Sequence, residues 1–206
     1  SLGGLLATHA YMKAHTLFNA FIAADPSFGS WDAPTMDTKL EALTDNSFKR
    51  FLYLASANWG KRNIRNRDRH LRLYESLHSK CEGAFPAQLE YFENENHGSV
   101  PLIAFHNGIS AIFSGYGIAY RDIKDAEQVV RHFQAVSSRL SWDFTPPEEL
   151  VNRAGYRLLR EDVSGAIALF ILNTENYPGS FNAFDSLGEA YEAAGDKEKA
   201  IENYKR

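Results

Sequence analysis

The hydrophobic positions of the first 115 residues fall into two alternating patterns. Three short apolar runs break into polar or glycine-containing sequence, as buried strands do where they end in loops. They lie at residues 17–28, 48–58 and 87–101. Four segments with helical spacing surround them, at residues 2–14, 38–45, 67–80 and 101–113. This alternation predicts an α/β fold, a parallel sheet covered by helices.

Residues at the ends of the predicted strands are the first place to look for function. In a parallel sheet covered by helices, chemistry collects in the loops at the carboxyl ends of the strands. Here those loops begin near Asp25, Asn58 and Glu93. We therefore expect functional side chains on these connections.

The pattern after Phe113 contains helices and no evident strand. Residues 121–140 have amphipathic helical spacing, and the Pro-Pro sequence at residues 146–147 precedes a further helix. Farther on, GAIALF at residues 165–170 matches KAIENY at residues 199–204, so that the two segments lie 34 residues apart. A fixed period of this length is typical of a helical repeat.

The second repeat unit has the composition of a tetratricopeptide repeat. Small and aromatic residues occupy the positions that such a repeat requires, namely Leu187, Gly188, Tyr191, Ala200 and Tyr204. In the same register Ala154 pairs with Gly188. The sequence therefore predicts three parts: a first domain at residues 1–118, a helical linker at 119–147 and tetratricopeptide-like repeats at 148–206.

Composition and charge narrow the classes of partner. The 206 residues are 44% hydrophobic and carry a formal charge of −4 with a pI near 6.0, which argues against nucleic acid as the main partner. The basic stretch from Lys61 to Arg72 fits a solvated loop and helix face. No apolar run approaches the roughly 20 residues of a membrane span.

The sequence gives no sign of a metal or cofactor. Cys81 is the lone cysteine, so neither an intrachain disulfide nor a thiolate metal cluster is expected. The histidines lack metal-ligand spacing such as H-E-x-x-H. A single cysteine fits a reducing compartment without excluding an exported protein, so periplasmic and cytoplasmic locations both stay open.

Two residues form a candidate nucleophile and base. Ser1 is followed by Leu2, two glycines and a helical pattern, as a serine is at the turn between a strand and a helix. His97 follows the third predicted strand and precedes a Gly-Ser turn. In α/β hydrolases the chain order is serine, acid, histidine, and Ser1 and His97 satisfy it. The alternative is that His97 is an ordinary loop histidine.

Two segments of the chain resemble one known family. The sequence SLGGLLATHAYMKAHTLFNAFIAADPSFGSWD, residues 1–32, resembles the segment that begins at the nucleophile of an esterase family of α/β hydrolases, which includes the S-formylglutathione hydrolases and siderophore esterases. ENENHGSVPLIAFHNGISAIF, residues 93–113, is similar to the histidine loop and last helix of that family. The tail resembles that of members with tetratricopeptide-like repeats. The resemblance implies the C-terminal half of an α/β-hydrolase sheet at residues 1–118, followed by an all-α tail.

The mechanism that the resemblance implies runs through Ser1. Its Oγ would attack an ester carbonyl, and His97 would take the proton and pass it to the leaving alcohol. The backbone N–H of Leu2 would be one oxyanion donor, and the other would come from a loop on a strand before the nucleophile. We therefore expect either an N-terminal half beyond this numbering or a fragment that is inactive alone.

The acid is where the sequence departs from the family pattern. The family places a Glu or Asp just after the strand that matches FLYLASA, whereas this chain has Asn58-Trp59-Gly60. Asp68, farther along the same connection, is our first candidate for the acid. An equal interpretation is that Asp68 is an ordinary residue in the first turn of a helix, where a carboxylate is favourable. Other carboxylates stay open, namely Asp32, Glu93 and Glu95. A Ser-His dyad without an acid is also open.

Three aromatic residues fall in the predicted loops at the active edge, namely Phe28, Trp31 and Trp59. They are candidates for lining an acyl or aryl pocket. The alternative is that they cap the sheet.

The sequence therefore predicts a serine carboxylester hydrolase that acts on a small-molecule ester, with a siderophore-esterase-like substrate as the finer expectation. An acyltransferase would use the same Ser1 and His97. A different class is a non-catalytic interaction module, in which the helical repeats bind a peptide or form a homodimer. A further alternative takes Ser1 as an N-terminal nucleophile with its own α-amine as base.

Overall fold

The computed structural model describes residues 1–13, 17–31, 33–43, 50–60, 64–80 and 87–206. The chain divides into two compact units. The first comprises residues 1–114 and 139–142, and the second comprises residues 115–138 and 143–206. The segment at 119–147, predicted as a linker, contributes residues to both.

The first unit is a parallel sheet with helices, which confirms the mixed α/β class. Its described strands are β1 Ala20–Ala24, β2 Phe51–Ala57 and β3 Ala87–Phe92, paired in the order β1-β2-β3. Its described helices are α1 Leu2–Met12, α2 Ala33–Glu41, α3 Ile64–Lys80 and α4 Val100–Ile112, with a short 3₁₀ turn at Phe28–Ser30.

The register of the sheet aligns the ends of its strands. Ala24 pairs with Ala55 across β1 and β2, and Ala57 pairs with Phe92 across β2 and β3. Because the strands are parallel, the loops that follow them begin at one carboxyl edge of the sheet. These are the connections on which the pattern predicts functional side chains.

The helix α2 begins earlier than its pattern predicts. The expected helix covers residues 38–45, whereas α2 begins at Ala33 and ends at Glu41. Pro34 stands in the first turn, where the missing N–H of a proline costs no helical hydrogen bond. The proline therefore belongs to the start of this helix and not to the loop before it.

Both faces of the sheet are buried, as is typical of parallel strands. One core cluster includes Tyr11, Phe21, Leu52, Leu54 and Leu73. The other includes Tyr53, Ala55, Val100 and Ala104.

The helix α4 packs closely on the sheet through a glycine and a polar contact. A Cβ on Gly108 would lie 3.0 Å from the ring of Tyr53. The Tyr53 hydroxyl donates to Glu90, and Asn107 Nδ2 donates to both oxygens of Glu90 at 3.0 and 3.1 Å. Burial raises the pKa of the Tyr53 phenol, which keeps it a neutral donor. These contacts hold α4, and thus the loop just before it, against the strands.

The second unit is built from helices. They are α5 Ala126–Leu140, α6 Glu148–Leu158, α7 Val163–Asn176, α8 Phe181–Ala193 and α9 Lys197–Tyr204. Three of them begin at side-chain caps, which accept hydrogen bonds from first-turn amides and are Asp162, Ser180 and Asp196. None of the described helices in either unit has the length and apolar character that a membrane crossing requires.

A packing of glycine on an aromatic ring repeats in this unit. A Cβ on Gly155 would lie 2.5 Å from the ring of Phe170, and a Cβ on Gly188 would lie 2.5 Å from the ring of Tyr204. Gly155 therefore makes the kind of contact that Gly188 makes, whereas the predicted 34-residue period pairs Gly188 with Ala154. The chain from glycine to aromatic is one residue shorter in the first pair.

Candidate active site

Hydrogen bonds join the loops that follow β2 and β3. The backbone N–H of Asn58 donates to the carbonyl oxygens of Phe92 at 3.2 Å and Glu95 at 2.9 Å. Its side-chain Nδ2 donates to the carbonyl oxygen of Glu93 at 2.8 Å. Asn58 therefore holds the loop that leads to His97 against the end of β2.

Ser1 lies beside the end of β1 and caps α1. Its Oγ accepts a hydrogen bond from Gly4 N at 2.9 Å and donates one to the carbonyl oxygen of Ala24 at 2.8 Å. A Cβ on Gly4 would lie 2.7 Å from that same carbonyl oxygen, so only glycine lets α1 approach the strand this closely. Gly4 thus allows α1 to place Ser1 at the carboxyl edge of the sheet.

Asp25 follows Ala24 in a left-handed backbone conformation, with φ 42°. Its N–H still donates to the carbonyl oxygen of Ala55 at 2.8 Å, and the residue is 1% exposed. Left-handed φ is unusual for a residue with a side chain and costs on the order of 1–3 kcal/mol, although Asp tolerates it better than most residues. Such a conformation persists only where surrounding contacts hold it.

The carboxylate of Asp25 is hydrogen-bonded to His97. His97 Nδ1 lies 2.6 Å from Asp25 Oδ2, with the Asp25 side chain 2% exposed and the His97 side chain 36% exposed. Because an ionised carboxylate only accepts hydrogen bonds, Nδ1 carries the proton in this pair. In the neutral imidazole Nε2 is then the free base, which is the tautomer that a Ser-His-Asp triad requires.

Two more donors fix the carboxylate. The backbone N–H of Ala57 donates to Asp25 Oδ1 at 3.2 Å, and the indole Nε1 of Trp59 donates to Oδ2 at 2.7 Å. The Trp59 ring also packs against the imidazole of His97, with centroids 4.8 Å apart and planes tilted by 51°. The loops after all three strands therefore converge on one carboxylate.

A buried pair on α3 supports the turn that follows Asp25. Asn66 Nδ2 donates to the carbonyl oxygen of Pro26 at 2.9 Å, and Asn66 Oδ1 accepts from Phe28 N at 2.9 Å. His70 Nε2 lies 2.8 Å from the same Pro26 oxygen, and His70 Nδ1 lies 2.8 Å from Ser56 Oγ. Since a carbonyl only accepts, Nε2 carries the proton and Nδ1 accepts from the serine hydroxyl.

His70 is therefore a neutral structural histidine. It is fully buried, and this burial lowers its pKa below the usual value. The Pro26 hydrogen bond and the nearby Asp25 charge act in the opposite direction and raise the pKa, but the effect of burial is larger. His70 serves the turn and does not take part in the Asp25–His97 pair.

The predicted acid Asp68 does not fill this place. It is an exposed residue in the first half of α3, while the carboxylate that contacts His97 is Asp25. Asp32 lies outside the described residues. The sequence pattern predicts a functional loop at Asp25, whereas the predicted acid candidates lie elsewhere in the chain. A signal for Asp25 is present in the sequence, because this carboxylate directly follows a buried strand.

Ser1, Leu2 and His97 lie at the same edge of the sheet. Ser1 bonds to Ala24, His97 bonds to the next residue Asp25, and Leu2 begins α1. Within the described part of the chain, the hydrogen bonds of Ser1 Oγ go to backbone atoms and not to the imidazole. Catalytic hydrogen bonds are often long or unformed in a free enzyme, so this geometry is compatible with a nucleophile and base.

Two of the three aromatic residues predicted to line a pocket belong to the core. Phe28 is 0% exposed and Trp31 is 7% exposed, and their rings stack with centroids 4.8 Å apart. Phe28 also lies edge-on to His70. They cap the sheet, because the hydrogen bond from Phe28 N to Asn66 Oδ1 holds their turn against the core. Trp59 differs, since it is 44% exposed.

The described residues contain no group of three His, Cys, Asp or Glu side chains arranged to hold a metal ion. At the edge of the sheet, the side chains of Trp59 and His97 are instead hydrogen-bonded to the Asp25 carboxylate. The arrangement can deprotonate a hydroxyl and stabilise the imidazolium that results.

Two solved structures share this fold. An IroE-like serine hydrolase from Shewanella oneidensis matches with a TM-score of 0.64 at 23% identity, over 84% of this chain and 56% of that chain. An uncharacterised protein from Capnocytophaga ochracea DSM 7271 matches with a TM-score of 0.64 at 18% identity, over 98% of this chain and 59% of that chain. This chain thus spans less than two thirds of either protein. No family model and no curated protein matches the sequence. The chain has the fold of part of each of these two proteins.

Proposed function

We propose that the protein is a serine carboxylester hydrolase that works through an acyl-enzyme on Ser1. The observation that carries the proposal is the 2.6 Å contact between His97 Nδ1 and the buried Asp25 carboxylate, next to the residue that Ser1 Oγ contacts. The shared fold with an IroE-like serine hydrolase supports it. The proposal replaces Asp68 with Asp25 as the acid.

The proposed reaction has two steps. Ser1 Oγ attacks the ester carbonyl, its proton passes to His97 Nε2, and the imidazolium returns that proton to the departing alcohol. Water then attacks the acyl-enzyme and gives a proton to His97, the imidazolium returns that proton to the departing Ser1 Oγ, and the carboxylic acid leaves. Asp25 stays ionised throughout and stabilises the imidazolium.

The oxyanion of the tetrahedral intermediate needs donors near Ser1. We assign one to the backbone N–H of Leu2, because the first-turn amides of a helix have no partner within the helix. The start of α1 adds a favourable dipole at this point. One such donor is typically worth about 10²–10³ in turnover.

The proposed substrates are carboxylic esters with an aromatic or apolar group that can lie on Trp59. This ring is 44% exposed, whereas Phe28 and Trp31 are buried. The family resemblance makes siderophore-like lactones the first compounds to try. An acyltransferase would use the same residues with an alcohol or amine in place of water.

Hydrolysis of a p-nitrophenyl ester panel tests the proposal. We expect turnover by the wild-type protein and its loss in both Ser1→Ala and His97→Gln. His106→Gln is the matched control, because His106 is an exposed histidine on α4 that contacts Asn107. Turnover that survives Ser1→Ala or His97→Gln would refute the assignment.

A second candidate function is binding by the helices of the second unit, which we propose to be tetratricopeptide-like repeats. The repeated glycine-aromatic packing favours the repeats. A groove of about 640 Å³ between α5 and α7 is lined in part by Val130, Leu172 and Asn176. Asn176 Nδ2 is a buried donor that has no hydrogen-bond partner in the described ranges.

Sedimentation equilibrium tests whether a second copy binds in that groove. A mass above the 23.2 kDa of one chain that Leu172→Lys returns to 23.2 kDa supports self-association through the groove. A single-chain mass in both proteins counts against it.

A further inference from the structure

Trp59 stands at the place where the resembled family has its acid, yet its contacts are those of a residue that serves another acid. It lies two residues after the end of β2, and its indole N–H reaches back to Asp25, the residue after β1. In the resembled family the acid follows the strand that corresponds to β2. Here the carboxylate that contacts His97 follows β1, and Trp59 follows β2. This gives Trp59 a task that its predicted role in substrate binding did not include.

The same carboxylate oxygen receives both side-chain hydrogen bonds. Trp59 Nε1 lies 2.7 Å and His97 Nδ1 lies 2.6 Å from Asp25 Oδ2. Two donors on one oxygen fix its position more narrowly than one donor does, and the indole donor withdraws part of the charge that the imidazolium would otherwise receive. The carboxylate cannot turn away from His97 without breaking the indole bond as well.

The indole ring also contacts the imidazole directly. The 4.8 Å centroid separation places the ring of Trp59 within the range of aromatic and cation–π contact with His97. One residue therefore touches both members of the pair, one through its N–H and the other through its ring. The outer part of the side chain is exposed, at 44% for the residue, so a substitution here does not open the core.

We propose that Trp59 is a positioning residue for catalysis, which holds the Asp25 carboxylate with its indole N–H while its ring fixes the imidazole of His97. This inference rests on the proposed hydrolase function. It assigns the N–H and the ring separate effects, and the two can be separated by substitution.

Trp59→Phe keeps an aromatic ring and removes the N–H. A hydrogen bond to a charged group is worth enough to change a rate by about 10–100-fold, so we expect kcat for a small ester to fall by that factor. KM should stay within about twofold of the wild-type value, because the ring surface remains. The carboxylate, freed of one donor, then holds the imidazolium more strongly, and the acid limb of the kcat/KM profile moves to higher pH.

Among the residues that the structure describes, three kinds of ionisable group bear on that limb. The Asp25 carboxylate lies against His97, the loop of His97 carries Glu93 and Glu95, and the α-amino group of Ser1 interacts with Asp25. Glu93→Gln and Glu95→Gln made in the Trp59→Phe background should leave the displaced limb where it is. Movement of the limb back toward the wild-type position in either would contradict the role given to the indole N–H.

A spectroscopic measurement separates positioning from a general loss of structure. The Nδ1 proton shared with Asp25 should give a downfield proton resonance that Asp25→Asn removes and Trp59→Phe shifts. Trp142→Phe is the matched control, since Trp142 is a tryptophan with 65% exposure, and it should change neither kcat nor this resonance.

The outcomes distinguish this inference from the function on which it rests. Unchanged kcat, acid limb and resonance in Trp59→Phe, with activity lost in His97→Gln, would overturn the positioning role and leave the hydrolase intact. Activity that survives His97→Gln would overturn both. A lower kcat with the displaced limb and shifted resonance supports the inference.

Discussion

The two units of the chain use buried polar side chains for different purposes. In the first unit Asp25, Ser56, Asn66 and His70 are buried and hold the turn after β1 and the imidazole of His97. In the second unit the buried polar residues mostly bond to nearby helix backbone, and they are Asn173, Thr174 and Ser186.

This difference shows that strained backbone is found beside the candidate active site and not in the regular helices. A helix satisfies its own backbone, so the buried polar groups of the second unit reinforce a helix or, as Asn173 does with Glu148, join two helices. In the turn after β1, Asp25 has a strained left-handed conformation, and the turn lacks the regular hydrogen bonds of a helix or a strand. Side chains from distant elements must therefore hold it in place. Substitutions should therefore affect activity in the first unit and stability alone in the second.

The largest effect should come from the acid. Asp25→Asn keeps the shape of the side chain but removes the charge that stabilises the imidazolium. We expect kcat for an activated ester to fall by about 10³–10⁴, the loss found when the acid of a Ser-His-Asp triad becomes an amide. Asp68→Asn is the control and should remain within about twofold of wild type. Equal losses in the two variants would return Asp68 to consideration.

The next effect concerns the turn that Asn66 supports. Asn66→Ala leaves Phe28 N buried without its acceptor and removes one donor to Pro26 O. We expect the free energy of unfolding, measured with urea, to fall by about 2–3 kcal/mol. Asn182→Ala provides the comparison in the second unit, because Asn182 is exposed where it donates to Glu148, and about 0.5 kcal/mol is expected there. Similar losses at both positions would erase the contrast between the units.

A smaller effect tests the glycine-aromatic packing. Gly155→Ala places a methyl group against Phe170, which is 0% exposed and has nowhere to move. We expect a loss of about 1–2 kcal/mol in the free energy of unfolding, after the gain in helix propensity. Gly188→Ala meets the ring of Tyr204, which is 45% exposed and held by a solvent-exposed hydrogen bond to Glu192. Because this ring can move outward, the effect should be near zero. A larger loss at Gly188 than at Gly155 would show that this packing is not what stabilises the unit.

The smallest effect concerns the pH dependence of stability. Burial lowers the pKa of His70 in the folded state, so the unfolded chain binds a proton that the folded chain does not as pH falls below about 6.5. Stability from this group is complete above that pH and is lost below it, by at most about 1.4 kcal/mol per pH unit. His70→Gln should flatten the slope of unfolding free energy between pH 5 and about 6.5. His106→Gln should leave the slope unchanged, and an unchanged slope in His70→Gln would contradict the account.

Much of the first unit follows from the hydrophobic pattern. The apolar runs predict β1, β2 and β3, and the helical segments predict α1, α3 and α4, because these elements bury one face or both. The pattern also places the loops at Asp25, Asn58 and Glu93 at one edge. What it cannot supply is the direction of a side chain inside a loop. The conformation of Asp25 at φ 42° turns its carboxylate toward His97, and no sequence period encodes that.

Long-range contacts account for the other differences. Phe28 and Trp31 read as loop residues because they follow the Asp-Pro sequence that ends the first predicted strand. In the structure Asn66, 38 residues beyond Phe28, holds this turn against the core. In the tail the sequence predicts a 34-residue repeat, whereas the packing of Gly155 on Phe170 and of Gly188 on Tyr204 differs by one residue from that period.

Labelling with a fluorophosphonate probe tests the central claim most directly. It is followed by intact mass and peptide mapping on this chain and on a version extended upstream of Ser1. We predict an adduct on Ser1 that His97→Gln abolishes, that Asp25→Asn slows strongly and that Asp68→Asn leaves unchanged. No adduct in either folded protein, or an adduct formed equally fast in Asp25→Asn, would contradict the assignment of Ser1, His97 and Asp25 as nucleophile, base and acid.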